Sequence, residues 1–134
     1  MSLAPISLEA PRVSISIVLI ALLFATSGVL HLVKPQPYVS IMPPWLPASL
    51  ALVLISGVFE IAGAASILLL STRVAAGWGL IALLFAVFPA NVQMLLNARA
   101  AHASALWVAG LVARLPLQVL LIIWVYRSTL RAAQ

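Results

Sequence analysis

Four long apolar runs divide the chain, Val13 to Val33, Ala48 to Leu70, Val74 to Leu96 and Ser104 to Tyr126. Each is about as long as a helix must be to cross the hydrocarbon core of a bilayer, roughly 20 residues. Between the first two lies Lys34 to Pro47, whose five prolines rule out a helix and whose Tyr38 and Trp45 suit the headgroup region. That segment reads as an interfacial lid over one end of the spans, with Pro47 placed for the first turn of the second span. Ser71-Thr72-Arg73 reads as a tight turn in which either hydroxyl can cap the third span, and Asn97 to His102 as the last connection. The pattern predicts an all-α membrane protein, an up-down four-helix bundle forming a single domain over residues 1–134.

Composition agrees with this division. Hydrophobic residues make up 65% of the 134 and charged residues 7%, with a mean hydropathy of +1.23. A soluble domain carries about 25% charged residues, so the helices themselves must supply the core. The net charge of +5 comes from seven bases spread singly along the chain, which make no nucleic-acid patch. They act better as topology signals. Arg12, Arg73, Arg127 and Arg131 flank the side of the termini against Lys34 and Arg99 on the other, so both termini are expected in the cytoplasm of a bacterial-type plasma membrane. Met1 to Arg12 is a polar lead with Pro11 where a helix can begin. Ala25-Thr26-Ser27 has the small-x-small form of a signal cleavage site, but the first run is read as an uncleaved anchor. Cysteine is absent, which excludes disulfides and thiolate metal sites.

The informative positions are polar residues inside the spans. Glu60 shares a helical face with Ser56, Gly57, Gly63 and Ala64, and a carboxylate in a spanning helix normally faces a partner or a cavity. Arg114 must also lie within the membrane, because a helix starting after it would span only about 18 Å. Counted along the second and fourth spans, Glu60 and Arg114 share a depth, and a direct or water-bridged ion pair across a core thinned by Gly57, Gly63 and Ala64 is expected, with Gln118 one turn from Arg114. That pair is either a structural fastening or a site that binds or protonates a ligand, with Glu60 the catalytic candidate. A second, outer layer holds His31, Asn91 and Gln93 beneath Tyr38 and Trp45. His31 is either an interfacial residue or part of a pocket. Pro89 and Pro116 are expected to bend their helices and to free the carbonyls of Phe85 and Val112. Tryptophans 45, 107 and 124 are assigned to the interfacial belt and Trp78 to the core. No metal site is expected from His31, His102 and Glu60, whose spacing fits no ligand motif. Ser27-Gly28-Val29-Leu30-His31 and Ser56-Gly57-Val58-Phe59-Glu60 echo one another, each with an ionisable residue three after a glycine, a match too short to be called a repeat.

Taken together, these residues resemble the DoxX-like membrane proteins, a group that includes DoxX, the DoxD-type subunit of thiosulfate:quinone oxidoreductase and MauE. The matching pieces are His31 with Pro35 and Tyr38, Pro43-Pro44-Trp45-Leu46-Pro47, Ser56-Gly57 with Glu60-Ile61 and Gly63, Trp78-Gly79, Phe88-Pro89-Ala90-Asn91 and Arg114-Leu115-Pro116-Leu117-Gln118. The resemblance implies a four-helix membrane bundle associated with quinone-linked oxidoreductases. Ala64 stands where that group often has a second glycine, and the absence of cysteine sets aside the disulfide chemistry of the MauE branch. The function expected is that of an accessory or binding subunit holding a small apolar or quinone-like molecule. Its ligand-binding residues would be His31, Tyr38, Trp45, Glu60, Asn91, Arg114 and Gln118. Its partners would be membrane lipid, a membrane redox protein and a second copy of the chain. The alternative is a small enzyme or proton-coupled transporter with Glu60 as the proton-exchanging group.

Overall fold

The first helix begins where Ser14, in extended conformation, accepts a hydrogen bond from the Ile17 amide and satisfies one of the unpaired donors of the first turn. From there α1 runs Ile15–Val33, α2 is a single turn at Gln36–Val39, α3 runs Ser49–Ser66, α4 runs Arg73–Ala100 and α5 runs Ala105–Thr129. This is a computed structural model that describes residues 13–131; the polar lead Met1 to Arg12, with Pro11 and Arg12, lies outside the described residues. The helices α1, α3, α4 and α5 are each long and apolar enough to cross a membrane. The protein is an all-α, multi-pass integral membrane protein built as a four-helix bundle.

Several local expectations are corrected. The lid contains a helical turn, because Pro35 caps α2 and Pro37 falls in its first turn, where a missing amide hydrogen leaves no bond unmade. Pro47 lies before the cap of α3, and the cap itself is Ala48 in left-handed conformation at φ 53°. The α3 helix closes at Ser66, four residues before Leu70. The carbonyls at its end and just past it are taken by side chains from beyond the turn: Thr72 Oγ1 donates to Ser66 O at 2.7 Å, Arg73 Nε to Ile67 O at 2.8 Å and Arg73 Nη2 to Leu68 O at 3.3 Å. The Thr72 hydroxyl therefore points back to α3 and does not cap α4. As expected, Pro89 and Pro116 lie inside the long helices α4 and α5.

The helices form a ring in which α1 packs mainly on α3, α4 mainly on α5, and α3 on α4, while α1 and α5 touch only lightly. The last seam is fastened at one end, where Trp124 Nε1 donates to Ser16 Oγ and the Ser16 and Ser128 hydroxyls bond each other, both at 2.6 Å. Nearby, Gly77 of α4 leaves the space that the buried Thr129 of α5 fills. The apolar core lies toward this same end. It joins Ile17, Ile20, Ala21 and Phe24 of α1, Ala64 and Ile67 at the end of α3, Leu80, Ile81 and Leu84 of α4, and Val125 and Leu130. Trp78 is not part of it: the side chain is 55% exposed and meets Tyr126 edge-on at the surface, whereas Trp124 packs against the core. The apolar core thus lies toward one end of the bundle, and the space enclosed by the lid lies toward the other.

Candidate functional site in the lid-side half of the bundle

Two glycines set the site. A Cβ on Gly28 would stand 2.6 Å from the Gly57 carbonyl, and one on Gly57 would stand 2.8 Å from His31 Cβ and 2.9 Å from the Gly28 carbonyl. Only glycine at both positions lets the α1 and α3 backbones come this close. Gly63 makes its close approach elsewhere, to Leu80 of α4. The small residues of α3 therefore draw in its ring neighbours. They do not thin the diagonal toward α5, and no direct Glu60–Arg114 contact forms.

Glu60 is paired with α1 instead. His31 Nδ1 lies 2.7 Å from Glu60 Oε2, Ser27 Oγ donates to Glu60 Oε1 at 3.0 Å, and Ser56 Oγ lies 3.3 Å from His31 Nδ1. Counted along the backbones, His31 is near the end of α1 while Glu60 is deep in α3, which is why they were expected in separate layers. Helical side chains lean toward the N-terminus of their own helix, and in an antiparallel pair these directions converge. His31 leans inward and Glu60 leans toward the lid. The echoed pentapeptides are the two halves of this contact: serine of each bonds the ionisable residue of the other, glycine faces glycine, and His31 meets Glu60. Ser56 also donates to Val53 O at 2.9 Å. Glu60 Oε2 has His31 Nδ1 beside it, yet the N–H is not aimed along a standard hydrogen bond, and the oxygen remains unsatisfied although Glu60 is only 7% exposed. Tyr38 of α2 stands edge-on to the imidazole, with ring centres 4.0 Å apart.

Across the hollow, α4 and α5 supply a relay with a consistent direction. Arg114 Nε donates to Asn91 Oδ1 at 3.1 Å, Asn91 Nδ2 donates to Gln118 Oε1, and the buried Gln118 passes its own Nε2–H to the Leu84 carbonyl. Arg114 itself is exposed at the side of the bundle, and this is its one hydrogen bond among the described residues. The two polar groups face one cavity of about 560 Å³, lined by His31, Tyr38, Glu60, Asn91, Arg114 and Gln118 and by Ser27 and Ser56. Its remaining walls are apolar, with Phe24 and Leu121 from the helices and Ile41, Met42 and Leu46 from the lid.

A model of a family described as a domain of unknown function (DUF8561) matches residues 20–129. The chain belongs to the DUF8561 family. The matched DUF8561 region spans every residue that lines the cavity. No curated protein and no solved structure matches the chain.

Two expected site residues are absent from this lining. Trp45 is 69% exposed on the outside of the lid, whose inner surface is made by Ile41, Met42 and Leu46. Gln93 turns along α4 to Asn97, which in turn ties the helix to the lid through Ser40 O at 3.2 Å. Ser27 and Ser56 belong to the site, although hydropathy gives them no weight. The signal for them was the echo itself, once the two copies are laid on antiparallel neighbouring helices. Among the described residues no group of three His, Asp or Glu side chains is placed to hold a metal ion.

Proposed function

We propose that the protein is a binding or accessory subunit that holds a small apolar or quinone-like molecule within its bundle, beside a quinone-linked oxidoreductase of the membrane. The observation that carries this reading is the cavity beneath the lid: about 560 Å³ with apolar walls and a few convergent polar groups, at the opposite end of the bundle from the apolar core. Small-molecule sites have this character, with volumes of roughly 300–1,000 Å³. The kinship with DoxX-like proteins proposed from the sequence is supported by the way its motifs gather, since His31, Tyr38, Glu60, Asn91, Arg114 and Gln118 all face the cavity. The positions of Arg73, Arg127 and Arg131 at the filled end, against Lys34 and Arg99 at the lid end, support an orientation with the termini in the cytoplasm of a bacterial-type plasma membrane. A second reading, proton exchange by Glu60 in an enzyme or a proton-coupled transporter, is favoured by a buried carboxyl that lies 2.7 Å from the His31 imidazole, on two residues that line the cavity.

Native mass spectrometry of the gently purified protein tests the first reading. A bound molecule of a few hundred daltons, released on activation and retained less well by Asn91→Ala, is the expected result, and the same spectrum gives the oligomeric state. A chain carrying only bulk phospholipid, equally in both proteins, would overturn it.

A further inference from the structure

Arg114 is a cation that the spans leave without an acid. It follows Ala105, the first residue of α5, by nine positions, which puts it about 14 Å along a helix long and apolar enough to cross the membrane. Glu60 is the one carboxylate among the described residues, and it is engaged elsewhere: Oε1 accepts from Ser27, and Oε2 is enclosed beside His31 Nδ1, shut off from the cavity. Arg114 donates Nε to Asn91 Oδ1 at 3.1 Å, and its other four N–H groups have no partner among the described residues. A charge at such a depth normally faces a partner or a cavity, and Arg114 lines the cavity. Asn91 is held by Gln118, and Gln118 by the Leu84 carbonyl, so the relay steadies the Nε edge and leaves the two Nη groups as a fork. A guanidinium fork matches the two oxygens of a carboxylate. The wall beside it is apolar, since Leu117 and Leu121 follow Arg114 on α5 at three- and seven-residue spacing and Phe24 comes in from α1.

We propose that the cavity takes a single-chain amphiphilic acid, with both carboxylate oxygens accepting from the Arg114 Nη groups and the hydrocarbon tail lying against the apolar walls. This rests on the reading of the cavity as a binding site for an apolar molecule and adds the charge of its head. A phosphodiester headgroup has the same sign, but it stays ionised and is held at the bilayer surface. A carboxylic acid can descend to this depth in its neutral form and release its proton to solvent on pairing with the guanidinium.

Calorimetric titration of the detergent-solubilised protein at about pH 8, where the acid is ionised, tests this with dodecanoate and methyl dodecanoate, which share a tail and differ in the charge of the head. Dodecanoate is expected to bind about tenfold more tightly than the ester. Arg114→Met should remove that advantage and leave ester binding unchanged, and comparing variant with wild type in the same micelles cancels the partition of each probe into detergent. Lys34→Gln removes a positive charge at the lid end that does not line the cavity, and should leave both probes unchanged. Asn91→Asp gives Arg114 a carboxylate within the chain, so it should weaken dodecanoate as Arg114→Met does and spare the ester, which keeps the test open if Arg114→Met fails to fold. Tighter binding of dodecyl phosphate than of dodecanoate would overturn the assignment to a carboxylate. Equal binding of dodecanoate and its ester, or an equal loss in Lys34→Gln and Arg114→Met, would overturn the anion site while leaving an apolar binding cavity standing. Binding by none of the probes would overturn both.

Discussion

A buried acid is defined by its neighbours, and for Glu60 these are Ser27, which donates a hydrogen bond, and His31, its ion-pair partner, both of α1. The expected consequence is energetic coupling between helices adjacent in the sequence and independence across the diagonal. In a double-mutant cycle read by thermal melts in detergent, Glu60→Gln and His31→Ala should depart from additivity by about 0.5 kcal/mol or more, while Glu60→Gln and Arg114→Gln should add within about 0.5 kcal/mol. The opposite pattern would restore the diagonal pair. The sequence made Glu60, Arg114, His31, Asn91 and Gln118 legible as site residues because hydrogen-bonding groups are rare in lipid-spanning helices. It did not reveal their pairing, because depth counted along a backbone ignores the lean of the side chains, which in this antiparallel pair brings His31 and Glu60 together. Trp45 misled for a related reason: an interfacial aromatic can face either way, and only the packing of the short α2 turn decides which lid residues point inward.

Among the elements, the decisive contact is the close approach of α1 to α3. Glycine-to-alanine changes separate its effect from intrinsic helix preference. Gly79 and Gly110 have nothing within 4 Å of a new Cβ, so alanine at either site should be neutral or raise stability by up to about 1 kcal/mol through helix propensity. At Gly28 the obstacle is the Gly57 backbone carbonyl, which cannot swing aside as a side-chain end would. Gly28→Ala should therefore cost about 1–3 kcal/mol and, by prising the helices apart, weaken the Ser27–Glu60 bond. Melting temperatures of the three variants in one detergent would decide it, and a Gly28→Ala protein as stable as Gly79→Ala would show that the helices separate freely. The existence of the long helices followed directly from the apolar runs. Their ends did not: α3 stops at Ser66, where Thr72 and Arg73 reach back to the carbonyls at its end and just past it, contacts that hydropathy does not carry.

For the whole molecule, the clasp between α1 and α3 bears on how the chain enters the membrane. Spans emerge from the ribosome in order, and a segment carrying an acid partitions poorly into lipid by itself, at a cost of about 2.5–3.5 kcal/mol for a charge near the helix centre. Among the described residues the side-chain partners of Glu60, Ser27 and His31, lie in α1, which is made first, whereas Arg114 is made more than fifty residues later than Glu60. The first hairpin can thus leave the translocon with its acid already accommodated, and the second pair of helices can join an inserted unit. Replacing His31 and Ser27 together by leucine and alanine should lower the fraction of α3 inserted in a cell-free translation assay scored by glycosylation of an engineered acceptor site. Replacing Arg114 by leucine should leave that fraction unchanged. The hydrogen bonds that shape one wall of the cavity would then have a prior task, as the means by which an acid-bearing segment leaves water before the rest of the protein exists.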